Sequence, residues 1–280
     1  MTRVLVNGVR LEARALGEGP PVLLVHGLTG RGTIWSALAR TLRRGGHRTI
    51  VVDLLGHGRS DAPSDPARYA VERQAADLAA LLDGLGARPA DLIAYSMGAR
   101  VALRLAVDHP AVIRRLVLES PSAGIADATQ RAARRAKDEA TAVILEREGM
   151  DVFALEWEAQ PIFASQAALP SVARARLRAD RLRNRPSGLA ASLRGAGQGT
   201  APALHDRLGA VASPTLVVAG ALDPSGLARA QVVAAGIPGS RLTVVAGAGH
   251  APHLERAATF QRLVCEFLDP PATVPPSRHR

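Results

Sequence analysis

The chain has 280 residues, 47% hydrophobic composition, one cysteine and a formal net charge of +10, enough length for one large α/β domain with an insertion. A lone cysteine excludes an intrachain disulfide framework. No apolar run is long enough to span a membrane, and the positive charge does not point to nucleic acid: Lys137 is the only lysine among 35 basic residues, and the densest basic stretch, 174–185, carries no aromatic side chain on which a base could stack.

The N-terminal stretch MTRVLVNGVRLEARALG alternates as a strand does and lacks the apolar core of a signal peptide, so a cytoplasmic protein is expected. Short β-branched runs bounded by Gly, Pro or Asp follow at 22–27, 49–58, 91–98, 114–120, 215–223 and 241–250. They are too short for helices and read as buried parallel strands. Helical patterns lie between most of them, at 71–86, 100–109, 227–236 and 254–268. Strand and helix in alternation is the pattern of a doubly wound, mostly parallel sheet.

The alternation stops after the strand at 114–120, and the chain turns helical and Arg-rich before returning to strand at Pro214. We therefore expect a core over residues 1–121, a helical cap over 122–212, the rest of the core over 213–268 and a disordered Pro-rich tail over 269–280. An insertion at the C-terminal edge of such a sheet covers the crevice where these folds bind ligands. Cys265, in a helical pattern, reads as a small core residue.

The stretch Ala94-Tyr95-Ser96-Met97-Gly98 joins an apolar run to a helical pattern. A serine on a tight strand-to-helix turn holds its hydroxyl clear of the backbone, and small residues two before and two after it prevent clashes. A hydroxyl is a poor nucleophile or base until a histidine takes its proton and a carboxylate holds that histidine. Asp223 ends one strand run and His250 follows a Gly-lined turn after another, which brings both to the same sheet edge as Ser96. Two backbone N–H groups, of Met97 after the serine and of Leu28 in the HGLTG turn, are positioned to form an oxyanion hole. His26 and His57 read as loop-shaping residues. His47, His109, His205, His253 and His279 form no metal-spaced cluster, so neither a metal nor a cofactor is expected.

The motifs HGLTG, DLLGHGRS, AYSMGAR, GALD and GAGH stand in the order found in α/β-hydrolase-fold proteins, which the sequence resembles over nearly its whole length. The insertion segments LESPSAGIADATQRAARRAKDE, WEAQPIFASQ and LRNRPSGLAASLRGAGQGTAP resemble the 2-succinyl-6-hydroxy-2,4-cyclohexadiene-1-carboxylate (SHCHC) synthases of menaquinone biosynthesis. The resemblance implies a lyase that eliminates pyruvate from a tricarboxylate, with the triad as a relayed base and no acyl-enzyme. It also implies substrate-binding roles for Tyr95, Arg100, Arg134, Trp157 and Arg183. Arginine suits such a substrate because its planar fork grips a carboxylate with two hydrogen bonds.

Three departures from the family pattern stand out: alanine rather than glycine at the outer elbow positions 94 and 99, His205 where an aromatic is frequent, and ALDPSG after the acid. The triad alone equally admits a serine carboxylesterase or C–C bond hydrolase with Ser96 as acyl nucleophile. A small-molecule ligand and a monomer or weak homo-oligomer are expected.

Overall fold

The computed structural model describes residues 2–269. Its framework is an eight-stranded sheet in the order β1-β2-β4-β3-β5-β6-β7-β8. The chain enters through a hairpin, β1 (Thr2–Val6) and β2 (Val9–Leu16), whose two-residue turn is Asn7-Gly8, both at positive φ. Asn-Gly suits such a turn because it carries two left-handed residues and matches the twist of the strands. β2 then pairs antiparallel with β4 (Arg48–Val52), and β4 with β3 (Pro21–Val25) begins the parallel part of the sheet.

Helix α1 (Ser36–Arg44) connects β3 to β4, and α2 (Val71–Gly84) precedes β5 (Ala90–Tyr95). After β5, helix α3 (Met97–Asp108) leads to β6 (Ile113–Glu119). The central strands β3, β5 and β6 are largely buried because both sheet faces are covered, and their apolar side chains join two buried clusters, one on each face.

The chain leaves the sheet after β6 and returns at β7 (Thr215–Gly220). Between them run α4 (Ala128–Glu158), α5 (Ser171–Arg181) and α6 (Pro186–Ala196), with a 3₁₀ stretch over Pro161–Ala168. Helix α4 is interrupted at Gly149, whose φ of 77° no regular helix tolerates. The three helices are held unequally. α6 buries eight of its eleven residues, and Gly188 and Gly195 let its backbone lie against Gly56 and Pro66: an added Cβ would stand 2.3 and 2.0 Å from their carbonyl oxygens. α5 buries none.

Helix α7 (Pro224–Gly236) follows β7, and β8 (Arg241–Val245) closes the sheet. The single helix read over 254–268 is two, α8 (Pro252–Glu255) and α9 (Ala257–Leu268), separated by Arg256 in a non-helical conformation. Cys265 is half-buried against the cluster on the α1 side of the sheet. The tail read as disordered lies, beyond Asp269, outside the described residues. No helix among the described residues is long and apolar enough to cross a membrane.

Candidate active site

Ser96 sits between the last residue of β5 and the first of α3, with φ 52° and ψ −111°. That strained conformation turns its side chain out of the sheet and is kept by what surrounds it. Its N–H donates to the Glu119 carbonyl at 2.9 Å. Gly98 lies against β3, where a Cβ would meet the His26 carbonyl oxygen at 2.3 Å, and a Cβ on Gly27 would meet the Tyr95 ring at 2.9 Å. Ala94, at the position more often glycine, is fully buried.

The Ser96 Oγ lies 3.0 Å from His250 Nε2, and His250 Nδ1 lies 2.8 Å from Asp223 Oδ2. The contact with a carboxylate places the ring proton on Nδ1, so the Nε2 lone pair faces the serine hydroxyl. Asp223 caps α7, its Oδ1 accepting from the Gly226 N–H at 2.8 Å and from the Ser225 hydroxyl at 3.2 Å. Burial alone would raise its pKa; the bonds from His250 and Gly226 outweigh that and hold it below the usual carboxylate value. Both Asp223 and His250 are 5% exposed.

A further layer that sequence reasoning missed fixes His250. Glu255 accepts from the N–H groups of Gly249 at 2.7 Å and Ala251 at 3.1 Å, and the Ser120 hydroxyl donates to the His250 carbonyl at 2.8 Å. Close passage of this loop over β7 requires Gly220, where a Cβ would stand 2.0 Å from the Gly249 carbonyl oxygen.

Ser96 and His250 line a cavity of about 270 Å³ between the sheet edge and the insertion, while Asp223 stays off its wall, bonded to His250 Nδ1. Leu28 and Met97 are both on its wall. As the first residue of α3, Met97 has an N–H without an intrahelical acceptor. Gly27 O accepts from Gly30 N–H at 3.0 Å, closing the tight turn that carries Leu28. Tyr95 lines the cavity with its ring 5.4 Å from that of His250. Burial and then the nearby Glu119 push its phenol pKa well up, so it stays protonated. Trp157 lines the cavity too, packed between Phe153 and Phe163, each with ring centroids 5.5 Å from its own. Phe163, which sequence reasoning did not single out, meets the His250 ring edge-on at 5.9 Å.

Of the three arginines carried over from the resemblance, two face this cavity. Arg100 is 8% exposed and its Nη1 has no partner. Burial, then the neighbouring Arg134, lowers its pKa to about 10. Arg134 reaches in from α4, its Nε donating to Asp138 at 2.7 Å and its Nη1 to Gln198 at 2.9 Å.

Arg183 is the exception and corrects the expectation. It is exposed in the turn after α5 and is absent from the cavity wall. The cause is its neighbour Asn184, which is buried and ties the turn down by accepting from Gly58 N–H and donating to the Thr29 and Arg181 carbonyls. With Asn184 pointing inward, Arg183 points out. Arg181 instead faces a smaller chamber of about 50 Å³ beside Tyr95, Trp157 and Phe163, and it pairs with Glu158. Two further cations on the main cavity, Lys137 and Arg229, were not identified from sequence.

His26 accepts the Leu54 N–H on Nε2 at 2.9 Å and His57 donates to the Leu55 carbonyl at 3.0 Å, both bracing loops beneath the site. Among the described residues no three His, Cys, Asp or Glu side chains group as metal ligands would.

Residues 20–257 match the α/β-hydrolase fold family. A Bacillus subtilis (strain 168) protein provisionally named 2-succinyl-6-hydroxy-2,4-cyclohexadiene-1-carboxylate synthase is 39% identical over 266 residues, covering 94% of this chain and 96% of the relative. The synthase of that name from Serratia proteamaculans (strain 568) is 31% identical over 263 residues, covering 92% and 98%. The structure of MenH from S. aureus superposes with a TM-score of 0.87 at 30% identity, covering 91% of this chain and 97% of that one.

Proposed function

The chain belongs to the α/β-hydrolase fold family, and on that premise we propose that it is a lyase that eliminates pyruvate from 2-succinyl-5-enolpyruvyl-6-hydroxy-3-cyclohexene-1-carboxylate to give SHCHC. Similarity to the synthases of Bacillus and Serratia supports the substrate class. The observation that carries the reading is the wall of the cavity: Arg100, Arg134, Lys137 and Arg229 line the same cavity as Ser96, a lining suited to several carboxylates rather than to a neutral acyl chain.

In this reaction Ser96 Oγ removes the proton α to the succinyl ketone as His250 Nε2, 3.0 Å away, takes the hydroxyl proton. Asp223 stabilises the imidazolium that forms. The electron pair of the broken C–H bond moves onto the ketone oxygen, faced by the N–H groups of Leu28 and Met97. It then returns through the ring, forms the new double bond and expels the enolpyruvyl oxygen. The proton held by the serine and histidine passes to the methylene carbon of the expelled enolate, which leaves as pyruvate. No bond to Ser96 forms.

The test follows diene absorbance and pyruvate release together on freshly made substrate, for the wild type and Ser96→Ala. Stoichiometric appearance of both, lost in the variant, is expected; unchanged substrate beside rapid hydrolysis of simple esters would reject the lyase.

A second reading keeps Ser96 as an acyl nucleophile, because the same Ser96–His250 contact that makes a base also activates a hydroxyl for attack. A phosphonate that labels Ser96, with carboxylate ester turnover and no pyruvate release, would favour it.

A further inference from the structure

The cavity carries four cations and only one carboxylate, Asp138, on its wall. That carboxylate is already occupied, by Arg134 Nε at 2.7 Å and by the Gly199 N–H at 3.3 Å. Arg100, 8% exposed, has an Nη1 with nothing to donate to. Arg229, half-buried on α7, makes no ion pair among the described residues. These guanidiniums come from three elements that share no sequence neighbourhood, α3, α4 and α7, and they meet at one wall.

The packing of α7 does not call for Arg229. Asp223 caps α7, and Gly226, Ala230 and Val233 supply its buried face. Burial holds Arg229 below its ordinary pKa: the attraction of Asp223 opposes this and the field of Arg134 adds to it, but burial is larger than either, so its charge opposes folding while the cavity is empty. Desolvated like charges facing one space are relieved when an anion enters it.

We infer that Arg229 is a specificity-determining residue of this site, holding one carboxylate of a polycarboxylate on the core side of the cavity while Arg100 and Arg134 hold another. The cavity then selects ligands with two or more separated carboxylates over monocarboxylates and neutral esters. The inference rests on the lyase reading for its substrate and for the kinetic readout, but not for the citrate binding and Tm that test it.

Isothermal titration of citrate, with acetate as the monocarboxylate control, compares the wild type with Arg229→Met, which keeps the aliphatic stem, and Arg229→Lys, which keeps the charge. Citrate affinity is expected to fall about tenfold in the methionine variant, about 1.4 kcal/mol, and to recover in part in the lysine variant. The ligand-free Tm of Arg229→Met should equal or exceed that of the wild type, since the lost charge is one the fold disfavours. KM for the enolpyruvyl substrate should rise with kcat retained. Unchanged citrate affinity in Arg229→Met, no citrate binding by the wild type, or a ligand-free Tm that falls in step with affinity would overturn the inference. Intact citrate selection without pyruvate release would reject the lyase alone.

Discussion

Gly98 and His26 touch through backbone: a methyl group on Gly98 would stand 2.3 Å from the His26 carbonyl oxygen and 2.9 Å from Val25 Cγ1. Neither neighbour is the free end of a flexible side chain, so Gly98→Ala must lift the first turn of α3 off β3 and carry Ser96 and Met97 with it. Overpacking of this kind costs about 1–3 kcal/mol, and a displacement of about 1 Å at reacting groups costs on the order of 100-fold in rate. We expect a lower Tm and a larger fractional loss of kcat/KM than of folded protein; activity within twofold of the wild type would show that the turn has room.

The contrast between Arg181 and Arg183 gives a second prediction. Arg183 is exposed and outside the cavity, so Arg183→Ala should leave stability within about 0.5 kcal/mol and KM unchanged. Arg181 is largely buried, bonds to Thr29 Oγ1 and pairs with Glu158, so Arg181→Ala should lower Tm and raise KM. Denaturation and steady-state kinetics on the pair check it, and a KM effect confined to Arg183→Ala would return that residue to the site.

Those two residues also mark where the sequence stops being legible. The parallel strands and the order Ser96, Asp223, His250 can be read because each sits at a boundary with its own local chemistry: an apolar run ending in Gly or Asp, or a small-x-Ser-x-Gly turn. In α5 and the turn after it arginine recurs so often, at 174, 176, 178, 181, 183 and 185, that the inward phase is not set by the arginines. It is set by Asn184, whose bonds to Thr29 and Gly58 reach across the fold. Arg229 and Phe163 are not legible for a related reason: one sits on a helix whose packing is carried by other residues, Gly226, Ala230 and Val233, the other on a 3₁₀ stretch without periodicity. The N-terminal hairpin had a usable signal in Asn7-Gly8 between alternating runs, which a reading of one strand passed over.

Arg134 serves both ligand and fold, and the two roles separate. Arg134→Ala removes a charge-assisted hydrogen bond to the ligand, with an expected loss in kcat/KM of about 1.5–3 kcal/mol. It also leaves Asp138, 4% exposed, without its guanidinium, so Tm should fall as well. Adding Asp138→Asn should restore much of the Tm and none of the kcat/KM. If the double variant recovers both, the kinetic defect came from the fold alone.

Acid should destabilise the protein through the buried histidines beneath the site. His57 is fully buried, with its pKa lowered to about 3 by burial first and by His26 second; the His26 ring is 4.9 Å away and its pKa is lowered too, chiefly by burial. His57 Nδ1–H is spent on the Leu55 carbonyl, and Nε2 has no partner, so protonation would bury an unpaired N–H and a positive charge. The unfolded chain protonates this ring near its ordinary value of about 6.5, so below that pH it binds more protons than the native state. Stability is therefore fully present above about pH 6.5 and falls as pH drops towards 3, with a slope approaching about 1.4 kcal/mol per pH unit for one histidine. Between pH 7 and 5 the contribution of His57 is about 2 kcal/mol. His57→Asn keeps a donor for Leu55 but cannot titrate, so urea unfolding at the two pH values should show a smaller loss in the variant than in the wild type. Equal losses would place the acid sensitivity elsewhere, in carboxylates such as Asp223 whose lowered pKa acts in the same direction at lower pH.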